Sequence, residues 1–252
     1  MFADVTSANI VGYQTITRPQ VNFCAGSMFQ NCGDKALTLE DFKITGVTSK
    51  AACRNCTIVF MESGTTAKFD SNRKFWTDID GKWRKFVQGG NFNSDPFLSE
   101  AEMKEQVINP GEGVICAFNN ANAQIVYSGE VIKGEDHKIS IPRTQVNFAV
   151  VNMAGRNIDL TEVKITGVTS KAACRNCTIV FMESGTTAKF DQNRKFWMDI
   201  DGNWRKFVQG GNFNSDPVLT EEQMKEQIIN AGQGIVCAFN NANAVIVLPS
   251  AL

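Results

Sequence analysis

The sequence predicts a mainly β protein made of two tandem homologous modules, each a β-sandwich or a partly closed barrel with one short helix. The first observation is an internal duplication, in which residues 43–126 return as residues 164–247 with 13 differences over 84 aligned positions. The second is the pair Asp80-Gly81 between two alternating aromatic runs, because glycine accepts the positive φ of a tight β-turn. Many short strands with one helix signal per copy are typical of sandwiches and barrels.

The duplication also predicts the domain organisation of the 252-residue chain. Module 1 is expected over residues 1–130 and module 2 over residues 131–252. Each module has about 120 residues, a common domain size and long enough to bury a core of its own. The stretch 128–135 between them is too short for a free linker, so the two modules are expected to touch.

The pattern of apolar residues predicts the strands of the first copy in order. The predicted strand segments are 10–17, 21–30, 39–48, 56–62, an aromatic hairpin over 68–87, and 113–119 and 123–127. We expect the first two strands to pair with each other at the start of each module. We expect the last two strands to form a closing hairpin through the turn Asn-Asn-Ala-Asn.

A single helix per module is predicted from the signals at its first turn. Ser99 is placed as the N-cap and Glu102 stands three residues later, which is a capping box. Leu98 and Met103 have the spacing of a hydrophobic staple. The second copy repeats these signals at Leu219, Thr220, Gln223 and Met224.

Charge and hydropathy exclude several classes of partner. With 25 basic and 26 acidic side chains, the chain has no net field that attracts nucleic acid or an anionic membrane. No apolar run approaches the ~20 residues that cross a bilayer. We therefore predict no nucleic-acid partner, no membrane span and no cofactor. The N-terminus lacks a basic region followed by an apolar one, which favours either a cytoplasmic chain or a mature secreted one.

Eight cysteines with a single histidine favour an oxidising, extracellular compartment. The spacing Cys-x-x-Cys occurs once per copy and leaves three readings: half of a zinc site, a redox motif, or a local disulfide, of which the disulfide is favoured. The candidate disulfide residues are Cys53, Cys56, Cys174, Cys177, Cys24 and Cys32. Cys116 and Cys237 lie in apolar strands and are predicted to be buried thiols, while an intermolecular bridge stays open.

No catalytic constellation follows from the remaining polar residues. Nucleophilic catalysis with a histidine would have to use His137, which lies outside the duplicated block and is predicted to be a solvated linker residue. Carboxylates are numerous in the hairpin, but turn chemistry accounts for their positions: Glu62, Asp70, Asp78 and Asp80. The protein is therefore predicted not to be an enzyme.

The aromatic hairpin has two possible roles. Its tryptophans, interleaved with arginine and lysine, are the candidate ligand or contact aromatics: Trp76, Trp83, Trp197 and Trp204. Such rings stack sugars or single-stranded bases, although nearby aspartates offset the basic charge that single-stranded nucleic acid requires. Simple alternation across the turn does not place both tryptophans in one core. In the other reading, one ring packs inward and the other covers a neighbouring segment.

The opening Ala8-Asn-Ile-Val-Gly-Tyr13 and the turn Pro110-Gly-Glu-Gly-Val114 resemble a group of uncharacterised secreted β-rich proteins of the Planctomycetes, Verrucomicrobia and Lentisphaerae. In that group the N-I-V-G-Y strand begins the mature chain behind a signal peptide. The second copy departs from the pattern, with Gly134-Glu-Asp-His137 and Ala231-Gly-Gln-Gly234 at the two places. The resemblance implies an extracellular or cell-surface location and carries no activity.

Two functions are consistent with these observations. Near-identical modules present the same surface twice, so the sequence favours a structural subunit that self-assembles into a surface layer, tube or filament. Its partners are then copies of itself. The alternative is a carbohydrate-binding adhesin that uses the aromatic hairpin of each module, with avidity from two equal sites and a glycan as partner.

Overall fold

The protein is mainly β, as predicted, with four antiparallel sheets and four short helices in the part of the chain that the structure describes. This structure is a computed structural model. It describes residues 11–17, 28–31, 33, 35–64, 66–120, 122–130, 137–141, 143–183 and 189–249. Within these ranges each sheet is open, so none of them is a closed barrel.

The first half of the chain, residues 1–130, contributes eight described strands and two helices. The strands are β1 (Val11–Thr17), β2 (Met28–Gln30), β3 (Ile44–Thr45), β4 (Cys56–Met61), β5 (Phe69–Thr77), β6 (Trp83–Lys85), β7 (Gly113–Phe118) and β8 (Gln124–Glu130). The helices are α1 (Lys50–Arg54) and α2 (Glu100–Lys104).

The second half, residues 131–252, repeats this order. The strands are β9 (His137–Ser140), β10 (Val146–Val151), β11 (Lys164–Thr166), β12 (Cys177–Met182), β13 (Phe190–Met198), β14 (Trp204–Lys206), β15 (Gly234–Phe239) and β16 (Val245–Leu248). The helices are α3 (Lys171–Arg175) and α4 (Glu221–Lys225).

Each half contains one five-stranded and one three-stranded sheet. The strand orders are β2-β7-β4-β5-β6 and β1-β8-β3 in the first half, and β10-β15-β12-β13-β14 and β11-β16-β9 in the second. Two predicted pairings are wrong. Among the described residues the first strands do not pair, because β1 joins β8 while β2 joins β7, and residues 21–27 of the predicted second strand lie outside the described residues. The closing hairpin does not form either, because the asparagine-rich turn carries the chain from one sheet to the other.

Strand β4 explains the layering, because both of its faces are buried. Cys56, Ile58 and Phe60 contribute to the core between the two sheets of the first half. Val59 and Met61 point the other way, into a core shared with the second half. Side chains of β7, β10, β12 and β15 divide in the same way between two cores. One is the outer core, which lies between the two sheets of one half, and the other is the shared core, which lies between the two halves. The two five-stranded sheets therefore lie back to back, and the three-stranded sheets lie outside them.

The shared core is held by close packing across the two halves. The rings of Phe69 and Phe190, which are equivalent positions of the duplication, stack with centroids 4.3 Å apart. A Cβ atom on Gly234 would lie 2.4 Å from the carbonyl oxygen of Val150 and 2.5 Å from Met28 Sδ, so glycine permits this approach. A hydrogen bond of 2.9 Å from the amide of Val151 to the side chain of Gln30 adds polar contact.

One helix in each half was predicted from the sequence, and a second helix was not. Helix α2 has the predicted capping box, in which Ser99 accepts from the amide of Glu102 and the Glu102 carboxylate accepts from the amide of Ser99. Helix α4 repeats it with Thr220. Helix α1, capped by Ser49, was not predicted. Each half therefore has two short helices where one was expected.

Candidate functional site

A buried carboxylate lies at the centre of a polar cluster behind each aromatic hairpin. Asp95 is 1% exposed and accepts hydrogen bonds from Arg54 Nε at 2.6 Å and Trp76 Nε1 at 2.9 Å. In the second half, Asp216 accepts from Arg175 Nε at 2.6 Å and Trp197 Nε1 at 2.9 Å. A buried charge that is paired and hydrogen-bonded is a fixed structural element.

A second arginine completes this cluster from the hairpin itself. Arg84 donates to the Asp78 carboxylate at 3.2 Å and to the backbone oxygen of Asp95 at 2.6 Å. Arg205 donates to Asp199 and to the Asp216 oxygen, both at 2.8 Å. The loop that carries the aspartate is thereby drawn over the sheet face on which Trp76 lies.

All four tryptophans are buried, which contradicts their assignment as ligand aromatics. Their exposed fractions are 0% for Trp76, 4% for Trp83, 0% for Trp197 and 2% for Trp204. Trp83 belongs to the outer core and donates to the backbone oxygen of Phe42 at 3.2 Å. Trp76 lies on the opposite face of the sheet, under the loop that carries Asp95. No tryptophan ring face is available for a sugar or a base.

The predicted disulfides are not formed by the cysteines that the structure describes. Cys53 lies in α1 and Cys56 begins β4, and both are buried thiols, as are Cys174 and Cys177 in the second half. Cys24 and Cys32 lie outside the described residues. Burial raises the pKa of Cys177 to about 11, which makes it a poor nucleophile. Cys116 and Cys237 are buried thiols, as predicted.

His137 is a strand residue and not a solvated linker residue. It lies in β9, is 5% exposed and pairs in register with Leu248. Burial lowers the pKa of His137 to about 4, so the imidazole is neutral at physiological pH. Within the described residues, no group of three or more His, Cys, Asp or Glu side chains is placed to hold a metal ion.

The hairpin carboxylates serve local turns, as their positions predict. Asp78 accepts from the backbone amides of Asp80 and Lys82, at 2.9 Å and 3.2 Å. Asp70 accepts from the amide of Asn72, and Glu62 forms an ion pair with Lys68. These bonds hold the turns and the hairpin ends, and they do not gather the carboxylates into a pair.

The second half carries an open groove of about 630 Å³ beside helix α4. Its lining is largely apolar, and it is formed by Leu160, Val163, Val168, Met198, Ile200, Trp204 and Met224. Asp199, Glu221 and Lys164 add charge to the lining. A groove of this size with a few polar groups has the character of a binding site.

The equivalent region of the first half differs from this groove at three places, in residue identity or in side-chain position. Phe42 takes the place of Val163, and its ring lies 5.8 Å from Trp83 between centroids. Lys43 Nζ lies 3.6 Å from the place that a Cβ atom on Gly81 would take, whereas the equivalent Gly202 has no described atom within 4 Å. Glu40 pairs with Lys104 of α2 at 3.9 Å, where the second half has Thr161.

A second cavity, of about 470 Å³, lies beside the shared core of the first half. Arg54 and Lys74 both lie over the ring of Phe86, at 4.1 Å and 3.9 Å from its centroid. Burial, and secondarily the charge of Arg54, lowers the pKa of Lys74. The second half repeats this cation–aromatic cluster with Arg175, Lys195 and Phe207.

Each half also exposes large apolar side chains at equivalent positions. The pairs, with exposed fractions, are Ile79 (48%) and Ile200 (47%), Val87 (42%) and Val208 (41%), Val107 (36%) and Ile228 (48%), and Phe97 (50%) and Val218 (48%). Sequence reasoning centred on the tryptophans missed these residues. The sequence could have indicated them, because these turn and loop positions hold an apolar residue in both copies of the duplication.

Comparison of the chain with protein-family models, curated proteins and solved structures gives no match. Among the described residues, no helix combines the length and apolarity that crossing a bilayer requires.

Proposed function

We propose that this protein is a non-enzymatic structural subunit that assembles with copies of itself into a layer, tube or filament outside the cell. The observation that carries this proposal is the repeated set of exposed apolar residues on the two halves. The shared core uses one face of each five-stranded sheet and leaves those residues free. A molecule with two contact surfaces binds two neighbours, and such contacts propagate when they do not close into a ring.

The exposed residues support a contact function because the same four positions are apolar and exposed in both halves. Ile79 lies at the tip of the β5–β6 turn, where polar residues are the usual choice, and Ile200 repeats it. The adhesin alternative loses its physical basis, since the tryptophans that would stack a sugar are buried. The extracellular location follows from the resemblance at Ala8–Tyr13, and it is part of the proposal.

Sedimentation velocity over rising protein concentration, followed by negative-stain electron microscopy, tests the proposal. We expect the sedimentation coefficient to increase with concentration and the images to show ordered multimers. A double variant, Ile79→Ser with Ile200→Ser, should shift this increase to higher concentration. A chain that stays monomeric at every concentration, ionic strength and pH examined would overturn the proposal.

A further inference from the structure

We infer that the cavity of about 470 Å³ in the first half is a binding site for a small organic acid, a molecule with a carboxylate group and an apolar body. The carboxylate of the ligand lies at Lys74, and its apolar body covers the sheet face beside that residue. The inference goes beyond the proposed self-assembly and does not depend on it.

The floor of the cavity is one face of the five-stranded sheet. Thr57 and Val59 of β4, Lys74 of β5 and Ala117 of β7 all line the cavity. Val59 lies opposite Lys74, and Thr57 lies opposite Ala117, in antiparallel register. Residues directly opposite each other, and residues two apart in one strand, share a face of the sheet. The four side chains therefore stand side by side under the cavity.

Two side chains that are held from outside bound the cavity. Phe69 lines it and stacks on Phe190 of the second half, with the ring centroids 4.3 Å apart. Arg54 lines it from α1, and Asp95 accepts from its Nε at 2.6 Å and neutralises its charge. Because these contacts exist without a ligand, the site is preformed, which lowers the cost of binding. Its volume lies within the range of roughly 300–1,000 Å³ that is usual for small-molecule sites.

Lys74 brings a positive charge that no described carboxylate neutralises. Its Nζ lies 3.9 Å from the centroid of the Phe86 ring. Burial lowers the pKa of Lys74 and the charge of Arg54 lowers it further, with no opposing effect from any described carboxylate. Asp70 also lines the cavity, but its carboxylate accepts from the amide of Asn72 at 2.9 Å. A bound carboxylate supplies the missing negative charge, and its hydrogen bond to the ammonium group is charge-assisted.

The rest of the lining favours an organic acid over a bare inorganic ion. Val59, Phe69 and Ala117 present apolar surface next to Lys74, and all three belong to or pack against the shared core. A sulfate ion at Lys74 leaves this surface in contact with water. An organic acid covers the same surface and gains the hydrophobic free energy of doing so.

Titration of the isotope-labelled full chain, followed through the backbone amide NMR signals of Val59 and Ala117, tests the site. At constant ionic strength, sodium benzoate should move both signals along a saturating curve. Benzyl alcohol keeps the ring and lacks the charge, while sodium sulfate keeps the charge and lacks the ring. We expect each of these two probes to bind the wild type at least about tenfold more weakly than benzoate.

A variant of the lysine separates the charge from the cavity. Lys74→Met removes the ammonium group and keeps an apolar side chain of similar length, so it should weaken benzoate binding at least about tenfold. Its amide spectrum outside the cavity shows whether the chain is folded. Lys138→Met, at an exposed lysine of β9 in the second half, is the matched control and should bind benzoate like wild type.

The comparison of benzoate with benzyl alcohol on the wild type needs no variant, so it decides the question even if Lys74→Met does not fold. Benzoate that moves neither signal overturns the inference, as does benzoate that binds no more tightly than benzyl alcohol. Unchanged benzoate binding by folded Lys74→Met overturns it as well. Sulfate that binds as tightly as benzoate would overturn the choice of an organic acid as ligand.

Discussion

The two halves of the molecule differ in their outer cores, where the first half has Phe42 and the second half has Val163, although the block that follows these positions differs at only 13 of 84 positions. The buried carboxylate clusters around Asp95 and Asp216 are matched bond for bond. The differences instead gather at turns, helix α2 and its counterpart, and the groove. The duplication has therefore kept the elements that hold each half together and changed those that face outward.

Even the buried differences preserve the shape of each half. Val114-Ile115 in the first half becomes Ile235-Val236 in the second. The first residue of each pair faces an outer core and the second faces the shared core. The exchange moves one methylene from the shared core to the outer core, and cores tolerate such volume-conserving changes well.

The largest expected effect tests whether the carboxylate clusters are equivalent. Asp95→Ala leaves Arg54 and the Trp76 indole without their buried acceptor, and Asp216→Ala does the same in the second half. We expect each variant to lose about 3–5 kcal/mol of unfolding free energy. Urea denaturation followed by tryptophan fluorescence measures the loss. Asp80→Ala, on an exposed turn, is the control, and a loss below about 1 kcal/mol in either Asp variant would contradict the structural role.

The second prediction uses a residue that only one half has. His137 lies opposite Leu248, and the corresponding partner pair in the first half is Gln14 and Tyr127. The folded pKa of His137 is about 4, below the ordinary value of 6.5, so the unfolded state binds the extra proton between these pH values. Stability should therefore fall as pH falls from 6.5 to 4, on the order of 3 kcal/mol.

His137→Gln, which places the residue of the first half, should remove this part of the pH dependence. The measurement is the unfolding free energy of both proteins from pH 7 to pH 4, with the difference between them plotted against pH. A difference that does not change with pH would show that the imidazole is not held neutral by burial.

The third prediction addresses the contact between the halves. Gly234→Ala places a methyl group 2.5 Å from Met28 Sδ of the first half and 2.4 Å from the Val150 carbonyl oxygen on the neighbouring strand of its own sheet, so the two halves and the β10–β15 pair must both shift. We expect a loss of about 1–3 kcal/mol from this overpacking. Gly113→Ala, at the equivalent position, should cost a similar amount, since its Cβ atom would lie 2.7 Å from the Ala149 carbonyl oxygen. Thermal unfolding of both variants gives the comparison, and an unchanged melting temperature in both would be inconsistent with the close approach.

The smallest expected effect concerns the helix caps. Ser99→Ala and Thr220→Ala each remove the side chain that accepts from the third amide of the helix. Each should lose about 1 kcal/mol. Equal losses in a denaturation series would show that the two capping boxes, one with Glu102 and one with Gln223, are interchangeable. A loss only at Ser99 would instead assign the effect to the charge of Glu102.

Local signals in the sequence predicted the local structure well. The Asp80-Gly81 turn and the capping box at Ser99 are formed as expected, because each depends on a few neighbouring residues. The pairing of β7 and β8 was predicted wrongly, since nearness in sequence does not reveal that a turn leads to another sheet. Helix α1 was not predicted because its segment was interpreted only through the Cys-x-x-Cys spacing, as a metal, redox or disulfide motif. The N-cap at Ser49 is the signal that predicts the helix.

Burial was harder to predict, because it depends on distant segments. Alternation correctly places Trp76 and Trp83 on opposite faces of the hairpin. It does not reveal that the loop with Asp95 returns to cover the second face. The burial of His137 was missed for the same reason, since its pairing with the distant strand β16 places it inside. The groove lined by Val163 and Met198 was not predicted either, because segments far apart in the sequence form it.

The back-to-back five-stranded sheets have a consequence for the history of the chain. A single ancestral copy would have presented Val59, Met61 and Ile115 to water, so we expect it to have been a homodimer joined through that face. Fusion of the two copies into one chain made this dimerisation intramolecular and therefore independent of protein concentration. The connecting segment raises the effective concentration of one copy near the other to about the millimolar range. Once joined, the two copies no longer had to be identical, and each surface was free to specialise.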